Sequence, residues 1–224
     1  TMFVGHYGIA LAAKKISPGT SLGTLFLATQ MIDLLWPVFL LLGLEHVKIE
    51  PGNTVFTPLD FYDYPITHSL VGCLGWAIAL GVLFWILRRN LRNAAIVGGV
   101  VLSHWILDAI VHRPDLPVFP GAETVIGLGL WNSIAATIIV ELGIFSAGLV
   151  IYLRSTRSQD RIGIYGLWGL VAFLVLGWLS NAFGPPPPSV MAVAVSALVV
   201  LALIVLWGYW VDRHRQLESS PAPD

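Results

Sequence analysis

The sequence predicts an all-α fold: a polytopic transmembrane helical bundle of about six spans with a short N-terminal half-inserted or interfacial helix. Three observations carry this expectation. Apolar residues make up 56% of the 224-residue chain and charged residues only 11%. Apolar runs of about 20 residues recur, each long enough to cross a hydrocarbon core of ~30 Å. These runs do not alternate apolar with polar residues, which argues against the roughly ten-residue strands of a transmembrane β-barrel.

Residues 3–13 are apolar but too few to cross, so they give the short first helix. Six spans follow at 21–44, 68–87, 93–111, 130–153, 162–182 and 189–211, by length and hydropathy. Lys14 and Lys15, then Arg88, Arg89 and Arg92, then Arg154, Arg157 and Arg161, then Arg213 and Arg215 fall on alternate loops. The positive-inside rule puts those loops and the C-terminus in the cytoplasm. Glu45, Glu50, Asp60, Asp63, Asp115 and Glu123 fall on the opposite, outer loops. Pro185 to Pro188 cannot continue a helix and mark an outer turn.

The last two spans carry no charged residue and read as a lipid-facing or dimer-forming appendage, a route to a homo-oligomer. The chain thus divides into a metal-site membrane domain at 1–155, two additional helices at 162–211, and a tail from 216 to 224 expected to be disordered. Thr1 before Met2 reads as an added residue, and no basic stretch precedes the first apolar segment, so the chain is expected to be uncleaved. The single Cys73 excludes an intrachain disulfide and reads as packing. Net charge is −1 with no basic block, so nothing suggests a nucleic-acid partner.

His104, Asp108 and His112 recur every four residues at the end of an apolar run, on one stripe of its helix. Ionisable groups at bilayer depth are costly and are kept there for pairing, metal binding or a wet cavity. Residues four apart form a joint chelating edge, so His104 with Asp108 suits one metal. His112 is about 12 Å from His104 along the helix axis. It belongs either to a second metal bridged through Asp108 or to the outer mouth, against substrate. The row favours a metal over a polar network, a proton relay or a cation path. At 1.5 Å per residue, Asp33 and Glu141 reach depths near that of His104, as does His6 if its short helix dips inward. Asp33 stands before Pro37 and reads equally well as a structural acceptor beside a proline kink. His68 opens its span on the outer side, just after Asp60 and Asp63. Imidazole and carboxylate ligands suit Zn, Mn, Fe or Ni.

An early His6, an Asp33 in an apolar run, Thr67-His68-Ser69 opening a span, and His104-Trp-Ile-Leu-Asp108 in the next resemble the bacterial family of membrane-bound metal-dependent hydrolases. That family is described as distantly similar to phospholipase C and P1-type nucleases. The resemblance covers roughly residues 3–150 and implies metal-binding roles for His6, Asp33, His68, His104 and Asp108. It also implies one or two divalent transition-metal ions, Zn or Mn first, in a bacterial inner membrane. Two departures stand out. Leu34 and Leu35 replace a second acidic residue, and Asp63-Tyr64-Pro65 stand where the family tends to have His-Arg-Gly. Arg113 could supply the lost cation.

The expected activity is hydrolysis of a membrane-associated ester, a phosphoester lipid above all, at a site open to the outer side. The ion would supply Lewis acidity. Glu141 or Asp63 would act as general base, with His112 and Arg113 on the leaving group or phosphate. Two rivals remain. One is proton- or cation-coupled transport through Asp33, His104, Asp108 and Glu141, although the chain has no convincing internal repeat. The other is a noncatalytic scaffold with a closed structural metal.

Overall fold

The computed structural model describes residues 2–218. Among them, five helices are long and apolar enough to cross a membrane: α5 (Leu70–Arg88), α6 (Leu91–Val111), α7 (Ile134–Ser155), α8 (Arg161–Phe183) and α9 (Val190–Arg213). A bent pair, α2 (Leu22–Thr29) and α3 (Met31–Leu41), gives a sixth crossing if counted as one broken span. The chain is therefore a multi-span membrane protein of the expected all-α class. Between these lie α1 (Val4–Ile16), the one-turn α4 (Pro65–His68) and three small antiparallel pairs. These pairs join β1 (His46–Ile49) to β2 (Leu59–Asp63), β3 (Leu116–Pro117) to β4 (Val125–Ile126), and β5 (Thr156–Ser158) to β6 (Arg215–Leu217).

Local sequence chemistry sets the starts of the long helices. Ser69, Asn90, Ser133, Asp160 and Ser189 each accept a backbone N–H three residues on, at 2.8 to 3.3 Å. Such caps satisfy amide groups that the first helical turn leaves without intrahelical partners. The stop after α8 is the Pro185 to Pro188 run, as expected.

The first crossing departs from its expected form. The break falls at Gln30 (φ −107°, ψ 9°), and the two halves meet at 53°. Pro37 lies inside α3, where it removes only the amide that would have bonded the Asp33 carbonyl. The bend is thus placed one turn earlier than proline chemistry suggests, and its purpose emerges at the site.

α1 is 13 residues long, about 20 Å at 1.5 Å per residue, too short to cross. It is enclosed by α2, α6 and α7, with His6, Tyr7, Ala10 and Leu11 almost fully buried. It meets α7 backbone to backbone, because a Cβ on Gly148 would overlap the Gly8 carbonyl. Small residues permit this approach, which is how membrane helices gain contact without a hydrophobic driving force between them.

The last two helices, set apart in the sequence, are part of the bundle. α9 packs along α2 and α3, Tyr209 shares a 2.8 Å hydrogen bond with Thr24, and Lys14 pairs with Asp212 at 2.8 Å. β6 pairs with β5, so the α7–α8 turn and the end of α9 share one end of the bundle, with Arg157 and Arg215 on it. Of the tail expected from 216 onward, Gln216 and Leu217 lie in β6, and Glu218 donates its N–H to the Ser155 carbonyl at 2.9 Å. Residues 219–224 lie outside the described part.

Candidate metal centre

Four segments deliver the site. α6 supplies His104 and Asp108 one turn apart, α3 supplies Asp33, α4 ends in His68, and His112 is the first residue after α6. His112 keeps a helical position, its N–H bonded to the Asp108 carbonyl at 2.8 Å, so its ring reaches Asp108 as an ordinary i,i+4 neighbour, and its ψ of 147° turns the chain out of the helix after it. His112 thus lies one turn beyond Asp108 and about 12 Å along the axis from His104, and neither three-residue group that could hold an ion includes it. It is fully buried, packed between Phe61 and Trp131.

Asp108 Oδ2 lies 3.1 Å from His104 Nε2, 3.8 Å from His68 Nε2 and 3.9 Å from His112 Nε2. Asp33 Oδ1 lies 3.4 Å from His68 Nε2 and 3.6 Å from His104 Nε2. None of these five atoms has a hydrogen-bond partner among the described residues, and all are buried. Buried polar atoms left without partners are rare and call for an explanation.

The far side of each ring supplies it. His104 Nδ1 lies 2.8 Å from the Thr29 carbonyl, an acceptor only, so Nδ1 carries the proton. That carbonyl belongs to the last turn of α2, and the break at Gln30 frees it for a side chain. His112 Nδ1 lies 2.9 Å from the Asp115 carboxylate, which Tyr64 also donates to at 3.0 Å. Burial, and then the Asp115 charge, push the Tyr64 phenol well above its usual range, so it stays a donor. His68 Nδ1 lies 2.8 Å from Thr67 Oγ1, whose own proton goes to Glu45 Oε2 at 2.7 Å. Thr67 must therefore accept from His68.

All three imidazoles are held in one tautomer: the Nε2 lone pairs of His68 and His104 face oxygens of both Asp33 and Asp108, and that of His112 faces Asp108. Four acceptors, on Asp33, His68, His104 and Asp108, converge with no donor between them, an arrangement that a cation resolves. Imidazoles fixed through their other nitrogen by carbonyl or carboxylate groups are the usual outer shell of metal sites. Ligand bonds of about 2.0–2.1 Å at a tetrahedral centre set neighbouring donor atoms roughly 3.3 Å apart. The spacings of 3.1 to 3.9 Å bracket that value. These residues could hold a metal ion.

His6 is different. Its ring stacks on His104 with centroids 3.9 Å apart, and its Nε2 lies 3.2 Å from Asp108 Oδ1. As the Nε2–H tautomer it donates to Asp108, and as the other tautomer it joins His104 and Asp108 as a ligand. Two triads of donor atoms could hold an ion, His6, His104 and Asp108 or Asp33, His68 and His104. They share His104.

The remaining expected site residues separate. Glu141 is buried, and its Oε2 accepts the Phe3 and Gly5 amides at 2.8 and 3.4 Å, while Oε1 has no partner among the described residues. Met2 N–H in turn donates to Asp108 Oδ1 at 3.2 Å, so the start of α1 spans the two carboxylates. Asp63 pairs with His46 at 2.7 Å across the exposed β1–β2 hairpin and takes no part in the buried group. Arg113 is bound to Asp60, Asp115 and Asn53. Its charge is matched twice within the chain.

Glu45 is the residue that sequence reasoning passed over. It is 1% exposed and also accepts the Ile66 and Thr67 amides at 2.7 and 2.8 Å. Its position in a loop, 22 residues from Thr67, gave no local signal. Thr67, one residue before a candidate ligand, offered the only hint.

A cavity of about 780 Å³ reaches the site. Asp33, Phe3 and Trp36 line it together with the 51–59 loop, α8, the proline run and the first half of α9.

Comparison with protein-family models, with curated proteins and with solved structures finds no match for this chain.

Proposed function

We propose that the chain is an integral membrane metal-dependent hydrolase of a membrane-associated ester, a phosphoester lipid, in line with the family it resembles. The observation that carries this reading is the convergence of two Nε2 lone pairs, of His68 and His104, with two carboxylate oxygens in a donor-free group, one member of which, Asp33, also lines a cavity. The alternating positive loops favour a site opening away from the cytoplasm.

Hydrolysis adds water across the ester bond: the hydroxyl goes to phosphorus or carbon, the ester bond breaks, and the other proton ends on the leaving oxygen. A bound divalent ion supplies Lewis acidity and a water nucleophile at neutral pH. The chain's own residues do the rest. Thr29, Asp115 and the Glu45–Thr67 relay hold three imidazoles ready before any ion arrives, so little reorganisation is needed. Glu141 is the candidate proton acceptor: its Oε2 is fixed by two amides, its Oε1 is unused, and Phe3, whose amide it holds, lines the cavity.

The burial of the five atoms favours a second reading, a structural ion that ties α3, α4 and α6 together. Elemental analysis of purified protein beside His104→Ala and Asp108→Ala, followed by phospholipid turnover, separates the cases. A hydrolase carries about one or two ions that both variants lose together with turnover. Metal that resists chelators, with no turnover, leaves the structural reading. Protein that stays metal-free after incubation with Zn or Mn removes both.

A further inference from the structure

The cavity beside Asp33 has walls of opposite character. Toward the interior stand Asp33, Thr54 and Thr57, and toward α8 and α9 stand Phe173, Val193 and Leu201. Its volume of about 780 Å³ falls within the ~300–1,000 Å³ of pockets that bury a small ligand.

The two helices that form the apolar wall are not parallel partners along their whole length. At the arginine-bearing end they touch. A Cβ on Gly163 would overlap the His214 carbonyl, and Cβ atoms on Gly166 and Gly169 would sit 3.3 and 3.2 Å from Trp210 and Trp207. Trp207 also donates to the Gly166 carbonyl at 3.0 Å. Farther along α8, a Cβ on Gly177 would meet nothing within 4 Å, and Gly177 lines the cavity. The helices touch at one end, and toward the proline run the cavity lies between them and reaches the exposed Gly177, a lateral cleft among residues that face a bilayer.

We propose that this cleft between α8 and α9 admits a long-chain phospholipid from the membrane, its apolar chain lying along Phe173, Val193 and Leu201 and its polar head reaching Asp33. The proposal rests on the hydrolase reading for what happens to the head, but not for the binding itself. It gives α8 and α9, which carry no charged residue between Arg161 and Asp212, a place in the site. Polar head groups meet threonine hydroxyls and a carboxylate-held cation on one wall, while the chain stays in surroundings as apolar as the bilayer it leaves.

The test uses the full chain reconstituted in vesicles that contain a phosphatidylglycerol with a diazirine near the end of one acyl chain. Photolysis should label residues 192–201 of α9. Gly177→Phe enters the cleft from a position where a Cβ meets nothing within 4 Å, and Ser196→Phe enters it from the α9 side. Each should cut that label by about tenfold or more, as expected when a close-fitting apolar pocket is obstructed. Ile139→Phe, on the 71% exposed face of α7, should leave it unchanged. Metal content equal to wild type distinguishes a filled cleft from a disrupted bundle. Label spread evenly over exposed helix faces, or undiminished by both filling variants, overturns the proposal. Label that both variants abolish, without any lipid turnover in wild type, keeps the cleft and removes the hydrolase reading. Turnover undiminished in both variants does the reverse.

Discussion

Glu45→Gln should weaken metal binding although Glu45 is no ligand. In the wild type, one carboxylate oxygen accepts the Ile66 and Thr67 amides and the other accepts the Thr67 hydroxyl. Glutamine keeps an oxygen with two lone pairs for the amides, but turns an NH2 toward Thr67. The Thr67 oxygen then accepts from that NH2 and sends its own proton to His68 Nδ1. His68 must take the other tautomer, with a hydrogen on Nε2, the atom that lies 3.4 Å from Asp33 Oδ1. Loss of an outer-shell partner costs about 10–100-fold in metal affinity, or about 1.4–2.7 kcal/mol. Thr67→Val removes the same relay and should cost a comparable amount. Because both changes act through one nitrogen, the double variant should be no weaker than either single one, a coupling nearly equal to the whole single effect. Competition against a chelator of known affinity, on detergent-purified protein, measures all four corners. A Glu45→Gln Kd within about twofold of wild type, or additive losses in the cycle, would refute the tautomer argument.

Three further outcomes are expected. Arg113→Gln should lower thermal stability by about 1 kcal/mol, discounted because the side chain is 36% exposed, and leave KM for a phosphoester unchanged; a raised KM would restore Arg113 as a substrate ligand. Gly148→Val should push α1 off α7, exposing the His6 segment to hydrogen exchange and weakening metal binding together, whereas unchanged protection of residues 4–16 would mean that α1 docks without that backbone contact. The Gly163 amide, and then His214, hold the Asp160 carboxyl below its ordinary 3.8, so the stability it gives is complete above that value and is lost as pH falls through the depressed one. Asp160→Asn should therefore flatten the thermal midpoint against pH only below about pH 4, and an identical acid limb in both proteins would refute that assignment.

The bundle was legible because its signals are local. Apolar length set the long helices, and Ser69, Asn90, Ser133, Asp160 and Ser189 gave their starts through side chains that bond three residues on. The four-residue spacing of His104 and Asp108 placed two donor groups on one helical stripe, and the similar depths of Asp33 and His104 placed a third nearby. Only the tertiary structure decided which groups join them. The bend at Gln30 has no glycine or proline to announce it, yet it frees the carbonyl that sets the His104 tautomer. Tyr64, arriving from another loop, shares the Asp115 carboxylate that holds the His112 ring with its Nε2 3.9 Å from Asp108. Glu45 binds Thr67 across a loop, and Arg113 finds Asp60 and Asn53 across another, pairings that no local spacing announces. Periodicity and capping act within a few residues and can be read along the chain, whereas a metal-sized gathering of lone pairs depends on where distant segments meet.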